Sequence, residues 1–299
     1  MNPSPLPLSP GGRGIKGEGR RFSAEPVRVP SILRRLPRRD PWSLATHTIT
    51  PYRGCGFACQ YCYALDETAL PTKPRDQGAV RVQFGSNGPF LLSRSIGSLR
   101  PSDLVLLGAG SDPYQPAEEE HLVTRRILEL LAGAACGVHV LTRGPLVTRD
   151  AEILASIAEA GRLCLVTISL PTADAAVARK LEPLNPTPKA RLAALAELTG
   201  THPGIRGGVA VRPIFPDVTD GARLEDVADA AKAHGGTYVL GGPLVLSGPA
   251  RVRALAWAKR TFGESVATRW AALAPTASSG YWAGVRDDLA QACQKVGIG

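Results

Sequence analysis

The sequence has no apolar run approaching the ~20 residues that a membrane-spanning helix needs, so we predict no transmembrane segment. Its N-terminal stretch also lacks the continuous apolar core of a secretory signal peptide, which favours a cytoplasmic protein. Only 6 of the 299 residues are cysteine. That number is too low for a disulfide-stapled scaffold, and a chain of this length buries a substantial core without staples. We therefore expect one large globular domain, with or without extensions.

Positive charge is in excess, with 35 Lys and Arg against 26 Asp and Glu. A net charge of +9 and a pI near 9.5 are compatible with nucleic-acid contact. Many of the arginines precede Asp40, namely Arg20, Arg21, Arg28, Arg34, Arg35, Arg38 and Arg39. This segment is either an arm that binds a phosphate backbone or a solvated tail. Because residues 1–20 are rich in proline and glycine, we predict a disordered, basic tail over residues 1–45.

From about residue 46 onward, apolar strand patterns alternate with helical patterns. The strands are predicted at residues 46–51, 103–108, 137–141, 163–169, 207–211 and 237–241. This alternation indicates βαβ units and a parallel sheet. About six strand–helix pairs fall short of the eight of a closed barrel. The predicted fold class is therefore α/β, a partial (β/α)6 TIM-like barrel over residues 46–265 with a C-terminal helical extension over 266–299. A doubly wound sheet is the alternative.

Three cysteines, Cys55, Cys59 and Cys62, have the spacing CxxxCxxC, and no fourth cysteine follows nearby. Iron–sulfur clusters are normally completed by four thiolates. Three thiolates would leave one iron with an open coordination position, at which a reaction could take place. A zinc site is the alternative to a cluster, but structural zinc requires four ligands, and the sequence has no second closely spaced cysteine pair.

The run PYRGCGFACQYCYA at residues 51–64 resembles the cluster motif of radical S-adenosylmethionine (SAM) enzymes. More narrowly, it resembles the branch that contains spore photoproduct lyase and the DNA repair photolyase-like proteins. Further segments are similar to the same branch and follow its order, at residues 110–118, 142–150, 169–186 and 211–220.

The resemblance implies a [4Fe–4S] cluster held by the three cysteines. It also implies that SAM binds the open iron and is cleaved reductively to a 5′-deoxyadenosyl radical. A reducing partner of the flavodoxin or ferredoxin type would supply the electron, and DNA is the candidate substrate. Two alternatives stay open: the same chemistry on a peptide or small molecule, and a non-catalytic metal- or nucleic-acid-binding module.

Functional groups of parallel α/β barrels collect where strands end and loops begin. Polar elements follow each predicted strand in turn: the cysteine loop, Ser111–Asp112, Thr142–Arg143, Ser169, Arg212 and Gly241–Gly242. We therefore expect these elements to face one cavity.

The resemblance makes six residues candidates for contacts with SAM: Tyr61, Ser111, Asp112, Arg143, Ser169 and Arg212. It implies that Tyr61 touches the adenine, that Ser111 and Arg143 hold the methionine part, and that Ser169 contacts the ribose or the carboxylate. Structural alternatives stay open, since Tyr61 can be a core aromatic, the two serines can cap strand ends, and Asp112 can stabilise its own turn. Glu182 and Asn185 fit either a cofactor contact or a helix-exit turn.

Gly110 is a departure from the lyase pattern. Spore photoproduct lyases carry a cysteine at this position, which returns hydrogen to the product radical, and glycine has no thiol for that step. Tyr63 is the nearest candidate for a substitute relay, although packing is the favoured interpretation of its ring.

Overall fold

The computed structural model describes residues 22–62, 80–273 and 280–299, so Tyr63 lies outside the described residues. The chain forms two compact units. Of the described residues, the first unit contains 22–58 and 80–166, and the second contains 59–62, 167–273 and 280–299. The predicted core of residues 46–265 thus contributes to both units, and the cysteine loop passes from the first unit to the second after Ala58.

The first unit is built on short strands. They are β1 (Phe22–Val27), β2 (Leu33–Arg35), β3 (His47–Ile49), β4 (Tyr52–Arg53), β5 (Val80–Gly85), β6 (Leu104–Leu107), β7 (Gly137–Thr142) and the first half of β8 (Cys164–Ser169). β3, β6 and β7 are parallel neighbours, and β2 adds an antiparallel strand beside β3. β1, β5 and β4 form a smaller separate sheet. Every side chain of β6 is buried, as expected for a parallel strand covered on both faces.

The predicted disordered tail contains two of these strands. β1 pairs in parallel with β5 from Phe22 opposite Val80 to Val27 opposite Gly85, and β2 pairs with β3. Residues 22–45 are therefore part of the fold rather than part of the tail, because their backbone groups are bonded to strands from later in the chain. Composition and charge alone did not indicate these long-range pairings.

The helices of the first unit are α1 (Gly88–Ser95), α2 (Ala117–His121), α3 (Val123–Ala132) and α4 (Ala151–Glu159), with 3₁₀ turns at Ile96–Ser98 and Pro145–Asp150. The sequence predicts one helix from His121 to Leu131. The chain instead breaks at Leu122, whose φ is 53°. The carboxylate of Glu118 accepts hydrogen bonds from the amides of Thr124 and Arg125 and so caps the new helix.

The second unit contains the end of β8, then β9 (Arg206–Ile214) and β10 (Val239–Pro243), which are parallel. Its helices are α5 (Ala175–Leu181), α6 (Pro188–Thr201), α7 (Ala222–Ala233), α8 (Gly248–Phe262), α9 (Glu264–Leu273) and α10 (Gly280–Val296). Asp174 caps α5 through the amides of Ala176 and Val177, and Thr187 caps α6. Trp270 is wholly buried beside Phe215, with ring centroids 5.1 Å apart.

Two predicted strand ends are wrong in the second unit. β9 continues through Pro213 to Ile214, and β10 continues to Pro243. Arg212 and Gly241–Gly242 therefore lie within strands rather than after them. A register shift between Gly241 and Pro243 lets the two strands continue past these residues. Among the helices that the structure describes, none is long and apolar enough to cross a membrane.

Candidate active site

The first part of the cysteine loop is held by a buried glutamine. The side-chain oxygen of Gln115 accepts a hydrogen bond from the amide of Gly56 at 2.8 Å, and its nitrogen donates to the carbonyl of Gly54 at 3.1 Å. Gln115 is 0% exposed. Both residues that flank Cys55 are thus fixed by one side chain. Gln115 was not among the residues predicted from the sequence, although it lies within the motif segment 110–118.

Gly54 is required at its position for two reasons. Its φ of +75° lies in the left-handed region, and an added Cβ would lie 2.2 Å from the carbonyl oxygen of Arg81. The loop can therefore turn toward Cys55 only with glycine at this residue.

Ser111 and Asp112 direct their side chains to the backbone and to neighbouring motif segments. The hydroxyl of Ser111 donates to the carbonyl of Tyr52 at 2.5 Å. The carboxylate of Asp112 accepts from the hydroxyl of Thr142 at 2.5 Å and from the amide of Arg143 at 2.7 Å. It also accepts from the amide of Tyr114. Burial raises the pKa of Asp112, and these hydrogen bonds oppose the rise.

Two buried carboxylates join segment 110–118 to segment 142–150. The residues of this network are Tyr52, Tyr114, Glu118, Arg125, Arg149 and Asp150. Glu118 and Asp150 each have 0% side-chain exposure and both pair with Arg149, at 2.8 and 2.6 Å. The hydroxyl of Tyr52 donates to Glu118, and that of Tyr114 donates to Asp150. Burial lowers the pKa of Arg149, but its hydrogen bonds to the two carboxylates outweigh burial and raise it.

Asp150 immediately precedes α4. The helix begins at Ala151, and Asp150 makes no side-chain capping bond. Its carboxylate is instead engaged by Arg125 at 2.7 Å and by Arg149. Together, these contacts bring the cysteine loop up to Ala58 and two motif segments into one hydrogen-bonded group.

Little space surrounds Gly110, the position at which the lyases have cysteine. An added Cβ would lie 3.0 Å from the methyl group of Thr50 and 3.2 Å from its hydroxyl. A Cβ at residue 110 would therefore be in tight contact with Thr50.

In the second unit, Cys59 is buried beside Asn185. The amide nitrogen of Asn185 donates to the sulfur of Cys59 at 3.3 Å. The amide oxygen of Asn185 is also buried, and it has no hydrogen-bond partner among the described residues. The backbone amide of Asn185 donates to the carbonyl of Glu182, as in a helix-exit turn. The turn accounts for the backbone of Asn185 but not for the direction of its side chain.

Tyr61 is held by a buried ion pair. Its hydroxyl donates to Glu182, whose other oxygen accepts from Arg191 at 2.6 Å. Arg191 and Glu182 have 2% and 1% side-chain exposure. Arg191 also donates to the carbonyls of Ser169 and Pro186, at 2.8 and 2.9 Å. The carbonyl of Ser169, at the end of β8, is thus tied to the residues that orient Tyr61.

The ring of Tyr61 packs against two other aromatic rings. It meets the ring of Phe215 edge-on, with centroids 4.8 Å apart, and that of Trp257 at 6.4 Å. From α8, Arg253 donates to the carbonyls of Gln60 and Cys62, at 3.2 and 2.9 Å. Both ends of the Tyr61 peptide segment are therefore fixed within the second unit.

Arg212 lies within β9. Its side chain is exposed and crosses Gly242, where an added Cβ would lie 2.9 Å from its Cδ. Arg143 is half-buried in the first unit. That Arg143 and Arg212 contact SAM remains a prediction.

The thiols of the cysteine loop fit an iron–sulfur cluster by their chemistry. All six cysteines of the chain are thiols rather than disulfides, and thiolates are the usual cluster ligands. The hydrogen bond that Asn185 donates to the sulfur of Cys59 also suits a thiolate. Within the described ranges, however, no three His, Cys, Asp or Glu side chains are grouped as a metal site. The assignment of Cys55, Cys59 and Cys62 as ligands therefore stays a prediction.

Comparison with known proteins decides the family. Residues 49–231 match the Radical SAM superfamily, and this range contains the cysteine loop and the motif segments described above. The chain belongs to the radical SAM superfamily. The resemblance inferred from the cysteine motif is thereby confirmed at this level.

Three relatives of this radical SAM protein are named as uncharacterized proteins. It is 32% identical over 225 residues to an uncharacterized protein of Mycobacterium tuberculosis, which covers 74% of this chain and 65% of that protein. It is 30% identical over 171 residues to an uncharacterized protein of Acidianus two-tailed virus, covering 54% of each. An uncharacterized protein of Methanocaldococcus jannaschii is 27% identical over 176 residues, covering 59% of this chain and 63% of that protein. The chain thus spans less than two thirds of these relatives.

Solved structures of spore photoproduct lyase are similar in fold. One, a mutant with bound AdoMet and dinucleoside spore photoproduct, superimposes with a TM-score of 0.56 at 16% identity, covering 75% of this chain and 64% of the lyase chain. A second mutant structure gives a TM-score of 0.55, covering 79% and 65%. This likeness confirms the predicted α/β, TIM-like fold class of parallel strands with a helical C-terminal part.

Proposed function

We propose that this protein is a radical SAM enzyme that binds a [4Fe–4S] cluster through Cys55, Cys59 and Cys62. The observation that carries the proposal is the anchored cysteine loop, inside a superfamily match over residues 49–231. Gln115 fixes the loop on either side of Cys55, and Arg253 fixes the carbonyls around Tyr61. When bound, the cluster supplies the electron that cleaves SAM reductively to a 5′-deoxyadenosyl radical.

The protein side chains bind and orient. Arg143 pairs with the SAM carboxylate in a charge-assisted contact, as its guanidinium geometry favours. Tyr61 contacts the adenine, and its orientation is maintained by Glu182 and Arg191. Ser111 and Asp112 act on the SAM site mainly through the backbone that they hold. Ser169 and Arg212 complete the proposed set of cofactor-binding residues. Reductant is delivered by a flavodoxin or ferredoxin.

The proposed substrate is DNA. The chain has a net charge of +9, and Arg28, Arg34, Arg35 and Arg38 are exposed on the folded segment that contains β1 and β2. Exposed arginines on ordered backbone suit the phosphates of a nucleic acid. The structurally similar lyase is described with a dinucleoside photoproduct. Gly110 excludes a thiol at the lyase position, so the product radical must recover hydrogen from another group.

Anaerobic reconstitution followed by reduction tests this function. The protein should take up iron and sulfide, turn brown, and release 5′-deoxyadenosine from SAM when dithionite is added. Cys59→Ala should lose the cluster and the product, whereas Cys136→Ala, a buried cysteine outside the loop, should retain both. DNA deuterated at candidate positions should transfer deuterium into 5′-deoxyadenosine, whereas peptides and metabolites should not. Full iron occupancy without SAM cleavage would overturn the enzyme proposal.

A further inference from the structure

The side chain of Asn185 reaches a sulfur of the cysteine loop. Its amide nitrogen lies 3.3 Å from the sulfur of Cys59, within the longer range that hydrogen bonds to sulfur require. A ligand thiolate can only accept hydrogen bonds, so the donor must be the amide nitrogen. The orientation seen here, with nitrogen toward sulfur, is therefore the one that a cluster ligand requires.

The other atom of the same amide has no partner. The oxygen of Asn185 is buried and accepts no hydrogen bond from the described residues. A buried polar atom without a partner costs about 1–3 kcal/mol, and native structures rarely keep one without a reason. A bound molecule with an N–H or O–H group would satisfy this oxygen. SAM carries both kinds of donor, in its ammonium group and its ribose hydroxyls.

The surroundings hold Asn185 in this position independently of any ligand. Its backbone amide donates to the carbonyl of Glu182 at 3.0 Å. The next residue, Pro186, accepts from the buried Arg191 through its carbonyl. Asn185 is therefore fixed by the same ion pair that holds the hydroxyl of Tyr61.

We propose that Asn185 is a positioning residue that joins the cluster to SAM, and this inference rests on the function proposed above. Its nitrogen donates to the Cys59 thiolate, which withdraws electron density from the sulfur and stabilises the reduced cluster. Its oxygen accepts from a donor of the bound SAM. One rigid amide thus sets both the reduction potential of the cluster and part of the affinity for SAM.

The test compares Asn185→Ala and Asn185→Asp with wild type and with Thr187→Ala. Thr187 caps α6 from the same turn, through the amide of Ala190 at 3.2 Å, without an observed bond to sulfur. It therefore controls for loosening of the turn. Circular dichroism establishes that each variant folds, and iron and sulfide analysis gives its cluster content.

The first measurement is a redox titration of each reconstituted protein without SAM, monitored by electron paramagnetic resonance. At the wild-type midpoint potential, the ratio of reduced to oxidised cluster should fall about tenfold in Asn185→Ala, equivalent to ~59 mV for one electron. It should fall further in Asn185→Asp, which loses the donor and adds negative charge. Thr187→Ala should titrate like wild type.

The second measurement is equilibrium binding of SAM to the oxidised cluster proteins. Asn185→Ala should bind SAM about tenfold more weakly, as expected for loss of one buried hydrogen bond. If both Asn185 variants kept the wild-type potential, or if Asn185→Ala kept the wild-type SAM affinity, the joining role would be refuted. Failure of wild type itself to form a cluster would instead refute the proposed function.

Discussion

Gln115 and Gly56 are joined by a 2.8 Å hydrogen bond from the Gly56 amide to the Gln115 side chain, next to Cys55 in the sequence. The same side chain donates to the carbonyl of Gly54. One buried amide therefore sets the backbone on both sides of the first cysteine.

Gln115→Ala should lower both stability and cluster content. The substitution leaves the Gly56 amide and the Gly54 carbonyl without their buried partner, at a cost of about 1–3 kcal/mol. We expect a lower urea midpoint for the apo protein and fewer iron atoms per chain after reconstitution. Gln291→Ala, at an exposed position of α10, is the matched control and should change neither. Unchanged iron content in Gln115→Ala would show that the loop does not need the two hydrogen bonds of Gln115 to bind the cluster.

Two glycine-to-alanine substitutions should act in opposite directions. In Gly54→Ala, the new Cβ would lie 2.2 Å from the carbonyl oxygen of Arg81 at a φ of +75°. Backbone strain of this kind costs about 1–3 kcal/mol before the clash is counted. Gly200→Ala meets nothing within 4 Å and lies in α6, so it should stabilise by about 0.5–1 kcal/mol. Thermal unfolding of the apo proteins measures both, and equal effects would contradict the assigned loop geometry.

Arg191→Met should be severely destabilising. It leaves the carboxylate of Glu182 buried without its cation, and breaking such a pair costs about 3–5 kcal/mol. It also leaves the Glu182 carboxylate, which accepts a hydrogen bond from the Tyr61 hydroxyl, free to reorient. The control is Lys295→Ala, which removes an exposed pair with Glu225 and should leave the unfolding midpoint unchanged. Chemical denaturation that gave the two variants the same midpoint would refute the structural role of the buried pair.

Thiol labelling should separate the loop cysteines from the others. Burial raises the pKa of Cys136 to about 11 and that of Cys164 to about 12. Because the thiolate is the reactive form, both should react slowly with iodoacetamide at pH 8. Cys55 and Cys62, which are half-buried, should react before them. Reconstitution should protect Cys55, Cys59 and Cys62. Mass spectrometry of the labelled peptides gives the rates, and rapid labelling of Cys136 in folded protein would contradict its burial.

The raised pKa of Cys136 makes the stability of the folded protein depend on pH. The folded pKa of Cys136 lies above the ordinary value of 9.0. Its contribution to stability is therefore complete below pH 9 and is lost as the pH rises through about 11. Cys136→Ala should lack this part of the alkaline loss, which denaturation at pH 8 and pH 10.5 would detect.

The sequence allowed the fold class and the family to be predicted because apolar strands and the CxxxCxxC spacing are local signals. It did not reveal that residues 22–45 fold, because β1 and β2 are defined by pairing with β5 and β3. The strand end predicted before Arg212 was wrong because β9 continues through Pro213 to Ile214.

Gln115 and Asn185 were missed or left ambiguous for the same physical reason. An amide side chain has no sequence signature for its partner, and both partners here are more than 50 residues away in the chain. The candidate residues Ser111 and Asp112 were identifiable from their motif, but only the structure shows that their side chains hold Tyr52, Thr142 and Arg143.

The most direct test of the central claim is to look for SAM on the cluster iron. The reconstituted, dithionite-reduced protein would be mixed with SAM labelled with ¹⁷O in its carboxylate and ¹⁵N in its amino group, frozen, and measured by electron–nuclear double resonance. Hyperfine coupling from both labels is the predicted result, since Cys55, Cys59 and Cys62 would leave one iron open. A reduced cluster without coupling to either label would contradict the account.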